Sequence, residues 1–415
     1  MITRDRAYFL LLNLGHFLDH LFMLVFATVA ALALIREWGM GYAELLAYAT
    51  PGFFAFGVFA LPAGWLADRW SRDGMMAVFF LGIGLASIAT SFAQTPLQIG
   101  VCLFAIGVFA SIYHPVGLAI VTMKWRNTGM RIAVNGVWGN LGVASAALIT
   151  GYLIDNGGWR LAFIVPGVVC IALGLAYTVL RWEGITEEHA APKPKAEARA
   201  AGMDPAHKAL LVRVSGIVFL TTAVSSIIFQ STTFALPKIF DERLQGMAGR
   251  LAGRFARTAQ EDVATMIGSL AFVTFAVASM AQLVVGMSLD RFGPRRVFMT
   301  AAALQIVFFG MMPGLTDAVA LAAALGFMLG AFGQIPINDY MIGKMAAGPF
   351  RARVYGIRYV VSFTVLALAL PLIAFVYDAW GFDTLFRLLA VTALVILIAV
   401  ACLPKRLPSP EPAAA

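Results

Sequence analysis

The chain has 415 residues, 60% of them hydrophobic and only 13% charged, with a net charge of +8 at neutral pH. Soluble proteins carry about 25% charged residues, so this composition leaves too little polar surface to cover a soluble fold and points to a membrane protein. The excess of bases does not imply nucleic acid, because Lys and Arg gather at the ends of apolar runs, where they set topology.

Twelve apolar runs follow one another, at about 7–34, 43–67, 74–93, 97–122, 131–154, 160–181, 210–236, 263–288, 296–314, 318–343, 353–377 and 382–403. Each is long enough to cross about 30 Å of hydrocarbon at 1.5 Å per residue. Isolated strands leave backbone groups unsatisfied in lipid, so each run is a helix. The first follows Arg4 and Arg6, and it carries His16, Asp19 and His20. A cleaved signal core would not hold those residues, so it reads as the first span. Ionisable groups inside spans are costly and mark function. His16, Asp19, His20 and Met23 fall at i, i+3, i+4 and i+7, one face of a helix. Proton coupling or solute binding is the leading reading of that face. The alternatives are a divalent-metal or copper site formed by the same four residues and a satisfied structural network.

The second and third runs are joined by Gly64-Trp65-Leu66-Ala67-Asp68-Arg69-Trp70-Ser71-Arg72. Half a chain later, the eighth and ninth are joined by Gly286-Met287-Ser288-Leu289-Asp290-Arg291-Phe292-Gly293-Pro294-Arg295-Arg296. A glycine, three spacers, an acid and a base recur at one offset, so the chain is two copies of one unit. The fourth run holds His114 before Pro115, and the fifth holds Asn135 and Asn140 among glycines that permit close helix packing. Between the halves, Glu183 to Lys208 has prolines and charges but no apolar period, and reads as a tether. The seventh run contributes Gln230, the eighth Gln282, the tenth Gln334, Asn338 and Asp339, and the eleventh Arg358. Arg358 is either an anion clamp or a partner for Asp339 or Asp19.

Residues 238–262 break the symmetry. Phe240, Leu244, Met247, Leu251 and Phe255 recur at helical spacing with arginines on the other faces. This predicts an amphipathic helix lying at the interface, as a connector or a lid. Cys102, Cys170 and Cys402 have no C-x-x-C spacing, and there is no nucleotide-binding loop. Nor is there a nucleophile–base pair or complete metal set, so the chain is read as not an enzyme and without cofactor.

The repeated G-x-x-x-D-R-x-G-basic loop resembles the signature of the major facilitator superfamily, over nearly the whole chain. Ser71 departs from its glycine, and Asp73 and Pro294 from its bases, while the acid and first arginine stand in both copies. The resemblance implies that Gly64, Asp68, Arg69 and Arg72, with Gly286, Asp290, Arg291 and Arg295, form gates; helix dipole and bases place Asp68 near Arg351 and Arg353 at the start of the eleventh run and Asp290 near Arg131 of the fifth. His16-Phe17-Leu18-Asp19-His20, Tyr113-His114-Pro115 and Gly139-Asn140-Leu141-Gly142 resemble the fosmidomycin-resistance branch of that superfamily. There the acid stands one position later, and Trp138 here replaces a glycine.

The expected fold is an all-α membrane protein of twelve transmembrane helices in two six-helix pseudo-repeats. Its units are the bundle 1–182, the cytoplasmic linker 183–208, the bundle 209–404 with the periplasmic segment 238–262, and the tail 405–415. The bases put both termini on the cytoplasmic face of the inner membrane. The expected function is alternating-access transport of a small organic solute, anions included. Coupling is to protons, with export favoured over import. The alternative is an importer of metal or small organic acids. Proposed binding residues are His16, Asp19, His20, His114, Asn135, Asn140, Gln230, Gln334, Asp339 and Arg358. The partners are solute, protons and the bilayer, with no nucleic acid, and the chain works as a monomer.

Overall fold

The computed structural model describes residues 3–125, 128–186, 205–255, 263–345 and 351–404. All regular structure among these residues is helical. The spans are α1 (Arg4–Glu37), α2 (Tyr42–Arg69), α3 (Arg72–Ser91), α4 (Pro96–Lys124), α5 (Thr128–Gly157) and α6 (Leu161–Leu180). In the second half they are α7 (Pro205–Arg243), α8 (Val263–Phe292), α9 (Pro294–Met311) and α10 (Asp317–Met345). The run Arg351–Ala401 is broken at Gly381, which adopts φ 71°. It therefore supplies α11 (351–380) and α12 (382–401), and the count among the described residues is twelve. Most of the linker, the tail, and the side chains at 343–345 and 351–360 lie outside the described residues.

Local chemistry explains the helix breaks. Pro62 lacks the N–H that would bond Val58, and α2 turns at Phe59. Pro115 does the same in α4, where Tyr113–Gly117 widens into a π turn. The two signature loops turn differently. Ser71, extended at φ −161°, caps α3 by accepting from the Gly74 N–H at 3.0 Å. In the second copy Gly293 takes φ 77°, and Pro294 opens α9. The sequence departures at 71 and 294 are thus helix-start residues.

The repeat is visible in the packing. In the first half α1 packs on α5, α2 on α4, and α3 on α6. In the second, α8 packs on α10, while α7 and α9 pack along the run 351–401. The halves meet through α5 on α8 and α2 on the run 351–401, which exchange under the same repeat. Large apolar side chains such as Leu85, Val101, Val179, Val391 and Ile398 face outward, as lipid contact requires.

The halves are closed at the end away from the termini. There a Cβ on Gly151 or Gly268 would strike backbone of the opposite half. Asp155 at the end of α5 accepts from the Thr265 N–H and hydroxyl of α8, both at 2.6 Å. Arg36 reaches Asp241 at 3.9 Å, and the Tyr42 and Tyr377 rings meet edge-on. Toward the terminal end α5 and α8 part, and no described atom lies within 4 Å of a Cβ on Gly136 or Gly286.

The segment after α7 differs from the expectation of a helix resting on the bilayer. α7 itself runs to Arg243, and a separate helix, Gln245–Phe255, folds back on the second half. Arg243 pairs with Asp383, and Arg250 with Asp317 at 3.3 Å. Asp317 also accepts from the Met247 N–H at 2.8 Å. Of the expected stripe Phe240 and Leu244 are buried and Met247 and Leu251 half-buried, while Ala248 and Ala252 beside it are buried, so much of this face packs on protein. The acids that hold it stand in the first turns of α10 and α12, far along the chain, which its own periodicity could not reveal. Residues 256–262 of this segment lie outside the described residues.

Candidate functional site

A cavity of about 230 Å³ lies between the halves at mid-span. From the first half it receives His20 and Met23 of α1, Phe53 and Phe56 of α2, and His114 of α4. From the second it receives a polar stripe of α7, namely Thr222, Ser225, Ser226, Gln230 and Thr233. Gln334 and Asn338 of α10 and Ser362 of α11 complete that wall.

Behind the first wall is a buried network. The π turn at Pro115 brings Tyr113 and His114 against α1. His114 Nε2 stands 3.4 Å from Asp19 Oδ2, yet neither Asp19 oxygen accepts a hydrogen bond, and Asp19 is fully buried. His16 Nδ1 is 2.8 Å from the Asn135 carbonyl oxygen. A carbonyl only accepts, so Nδ1 carries the proton. His16 Nε2 is then a bare lone pair, accepting from His20 Nε2 at 3.2 Å. The His16 ring stacks on Tyr113 at 4.7 Å. Tyr113 donates to the Leu12 carbonyl, and the Asn135 amide donates to Tyr113 and Asn13. Gly139 is needed here, since a Cβ would come within 2.7 Å of the His16 ring.

Several sequence-predicted residues occupy other places. His20, His114, Gln230 and Gln334 line the cavity, whereas His16, Asp19 and Asn135 stand behind it. The turn of α1 aims Asp19 at α4, so it reaches the cavity only through His114. Asn140 donates to Gln282 at 3.1 Å across the α5–α8 seam. Asp339 is half-buried, engaged, and off the cavity wall. The Arg358 side chain lies outside the described residues. The nitrogens that converge, all within 4.8 Å, belong to His16, His20 and His114. The predicted metal set of His16, Asp19, His20 and Met23 is therefore not the group that comes together; Met23 is one turn further along, against the cavity.

The gate residues also differ. Asp68 pairs with Arg72 of its own loop at 2.6 Å, and Arg69 lies over Trp65. The predicted partners Arg351 and Arg353 fall among the undescribed side chains. Asp290 is exposed, with no ion pair among the described residues, and Arg131 lies over Phe9 and Trp125 instead. That pair cannot form here because α5 and α8 are parted at this end.

Sequence reasoning missed two groups. The hydroxyls of α7 were present at helical spacing, but among so many apolar residues they looked like ordinary helix serines and threonines. Asp73 was noticed only as a missing base. It accepts from Tyr8 and Tyr177, each at 2.7 Å, and from Arg181 at 2.6 Å, tying α1, α3 and α6 together.

A family model described as Major Facilitator Superfamily matches residues 12–256 and 255–415. A gallate transporter of Pseudomonas putida is 26% identical over 34% of this chain and 32% of its own length. The chain thus spans about a third of that relative. A multidrug resistance protein, MdtG, of Yersinia enterocolitica is 25% identical over 83% of this chain and 78% of its own. Among solved structures, a bacterial homolog of the human lysosomal transporter Spinster, in an inward-facing and unoccupied conformation, superposes with TM-score 0.70. That match has 15% identity and covers 97% of this chain and 96% of the other.

Proposed function

The chain belongs to the major facilitator superfamily, whose relatives here are transporters and not enzymes, and from that premise we propose a proton-coupled secondary transporter of a small organic solute. The observation that carries the coupling is Asp19, a fully buried carboxyl without a hydrogen bond, next to His114 on the cavity wall. An ionised carboxylate so placed costs several kcal/mol, about 2.5–3.5 on insertion scales. A proton passed from the cavity by His114 removes that cost. Protonation therefore biases the closure of the cavity, which is the differential affinity that coupling needs. The ionisable groups facing this cluster are His16 and His20 from α1 and Tyr113 and His114 from α4, while α5 offers the amide of Asn135. No nucleotide loop supplies energy, and an ion gradient serves instead.

The bases at the terminal end support both termini in the cytoplasm and an inner-membrane location. On that orientation the parting of α5 and α8 is the inward-open state. The likeness of the first half to the fosmidomycin-resistance branch favours export, and the chain acts as a monomer.

The test is proton flux in proteoliposomes with an internal pH dye and an imposed solute gradient. Asp19→Asn should abolish solute-driven proton movement while solute exchange persists. His114→Gln should slow both. Undiminished proton flux in well-folded Asp19→Asn protein refutes the reading. Stabilisation that needs added Zn²⁺, and that chelator removes, would favour the metal alternative.

A further inference from the structure

The cavity's two walls are chemically unlike, and its second wall has hydrogen-bonding groups with nothing to bond. Among the described lining residues there is no Asp, Glu, Lys or Arg. The first wall offers the rings of Phe53 and Phe56, the thioether of Met23 and two imidazoles, and Phe229 of α7 adds a third benzyl ring. On the second wall some polar groups are spent locally. Ser226 donates to the Thr222 carbonyl at 2.9 Å and Thr233 to the Phe229 carbonyl at 2.7 Å. The Asn338 amide donates to the Gln334 carbonyl at 3.1 Å. Others are not spent. The Ser225 hydroxyl, the Gln230 amide nitrogen and the Gln334 amide oxygen have no partner; all three residues are more than nine-tenths buried, and these atoms lie just behind the cavity surface. Gln334 is held in place from behind, because its amide nitrogen is engaged with Gln305.

A buried amide without a partner is costly, so a ligand toward which these side chains turn gains by pairing them. Gln230 needs an acceptor, Gln334 offers whichever amide atom Gln305 does not engage, and Ser225 takes either. Rings on the opposite side favour a flat apolar face. A cavity of about 230 Å³, against the roughly 300–1,000 Å³ of drug-sized sites, matches the scale of a one-ring solute. From this, and resting on the transporter reading above, we infer that the solute is a monocyclic aromatic compound with both hydrogen-bond donors and acceptors along one edge. The ring lies against Phe53, Phe56 and Phe229, and the polar edge meets Ser225, Gln230 and Gln334.

The experiment measures ligand-induced thermal shift and affinity on the purified full-length protein with three probes of one size. 3,4-Dihydroxybenzamide has ring and polar edge, cyclohexane-1,2-diol has an edge without an aromatic ring, and toluene has a ring without an edge. The first should bind and raise the unfolding temperature, and the other two should bind at least about tenfold more weakly. Gln230→Met, which keeps the volume, and Ser225→Ala should each weaken the first probe roughly 5- to 10-fold. No stabilisation by the dihydroxybenzamide, equal stabilisation by the saturated diol, or affinity indifferent to both substitutions would each overturn the assignment. The coupling reading is judged separately. If the probe binds as described but Asp19→Asn leaves proton flux intact, coupling fails and the solute class stands. If the mutant uncouples but the probe does not bind, the reverse holds.

Discussion

Removing the Asp155 carboxylate should loosen the seam at the far end of the molecule. Asp155 Oδ2 accepts two hydrogen bonds from α8, from the Thr265 N–H and hydroxyl, each at 2.6 Å. The Thr265 N–H lies in the first turn of α8, where a carboxylate also gains from the helix dipole. Hydrogen bonds to a charged group contribute about 1.5–3 kcal/mol each. Both end on one oxygen, so they do not add fully, and about 2 kcal/mol for the pair is a fair value. These bonds exist only while α5 and α8 are closed here, so Asp155→Ala should shift the closed-to-open ratio roughly 30-fold. Spin labels at Gln94 and Thr316, exposed in the far-end loops of the two halves, would report it in a cysteine-free background. A longer-distance population should appear or grow in Asp155→Ala, with a smaller change in Thr265→Val, which loses only the hydroxyl bond. Distance distributions identical in position and weight across the three proteins would refute the idea that this contact holds the seam.

Gly139→Ala should displace the His16 ring, since the new methyl falls 2.7 Å from it; proton-coupled flux should fall at least about tenfold, and flux at the wild-type level would contradict the packing argument. Asp73→Asn leaves Arg181 half-paired in a mostly buried site. At about 3 kcal/mol for a broken buried pair, the apparent unfolding temperature of a chain of 415 residues should drop by roughly 3–4 °C, and a shift under about 1 °C would show the cluster to be marginal. Arg250→Ala should cost under about 1 kcal/mol, because that pair is largely exposed. Asp317→Ala removes the Met247 N–H contact as well, so it should cost more. Protease sensitivity of the helix Gln245–Phe255 ranks the two, and equal sensitivity would argue against Asp317 as its anchor.

How far the sequence could be read follows the range of the interactions. The helices are written locally, in apolar length and in breakers, and even the departures at Ser71 and Pro294 have a local meaning as helix starts. The repeat was legible because two charged loops are costly enough to stand out in an apolar chain. His20 and His114 on the cavity wall followed from the same expense. What escaped depends on contacts between distant positions. Asp19 shares a helix face with His16 by spacing, but only the π turn in α4 decides that it meets His114 and not the cavity. Asp73 reads as a defect until Arg181, more than a hundred residues later, stands beside it. The α7 hydroxyls matter because they are unpaired, and pairing is invisible in one dimension. Asp290 and Arg131 show a further limit, since one sequence serves several conformations and a structure displays one of them.

The break at Gly381 has a mechanical consequence. α11 and α12 are joined by one residue, with no loop between them, and the Tyr377 and Phe382 rings sit 4.5 Å apart across the joint. Tyr377 also bonds Glu242 at the end of α7, and Asp383 holds Arg243 and the Gly314 N–H. Such a coupling behaves like a crank without free play. A swing of α11 away from Tyr42 must be delivered at once to α12, to the tip of α7 and to the turn before α10. The second half's outer rim therefore turns as a plate, and compliance has to be found elsewhere. The corresponding joint of the first half has more slack, because Gly158 and the residues after it form a short turn between α5 and α6. Inserting two or three glycines after Gly381 would introduce backlash into the stroke without touching a single residue of the cavity.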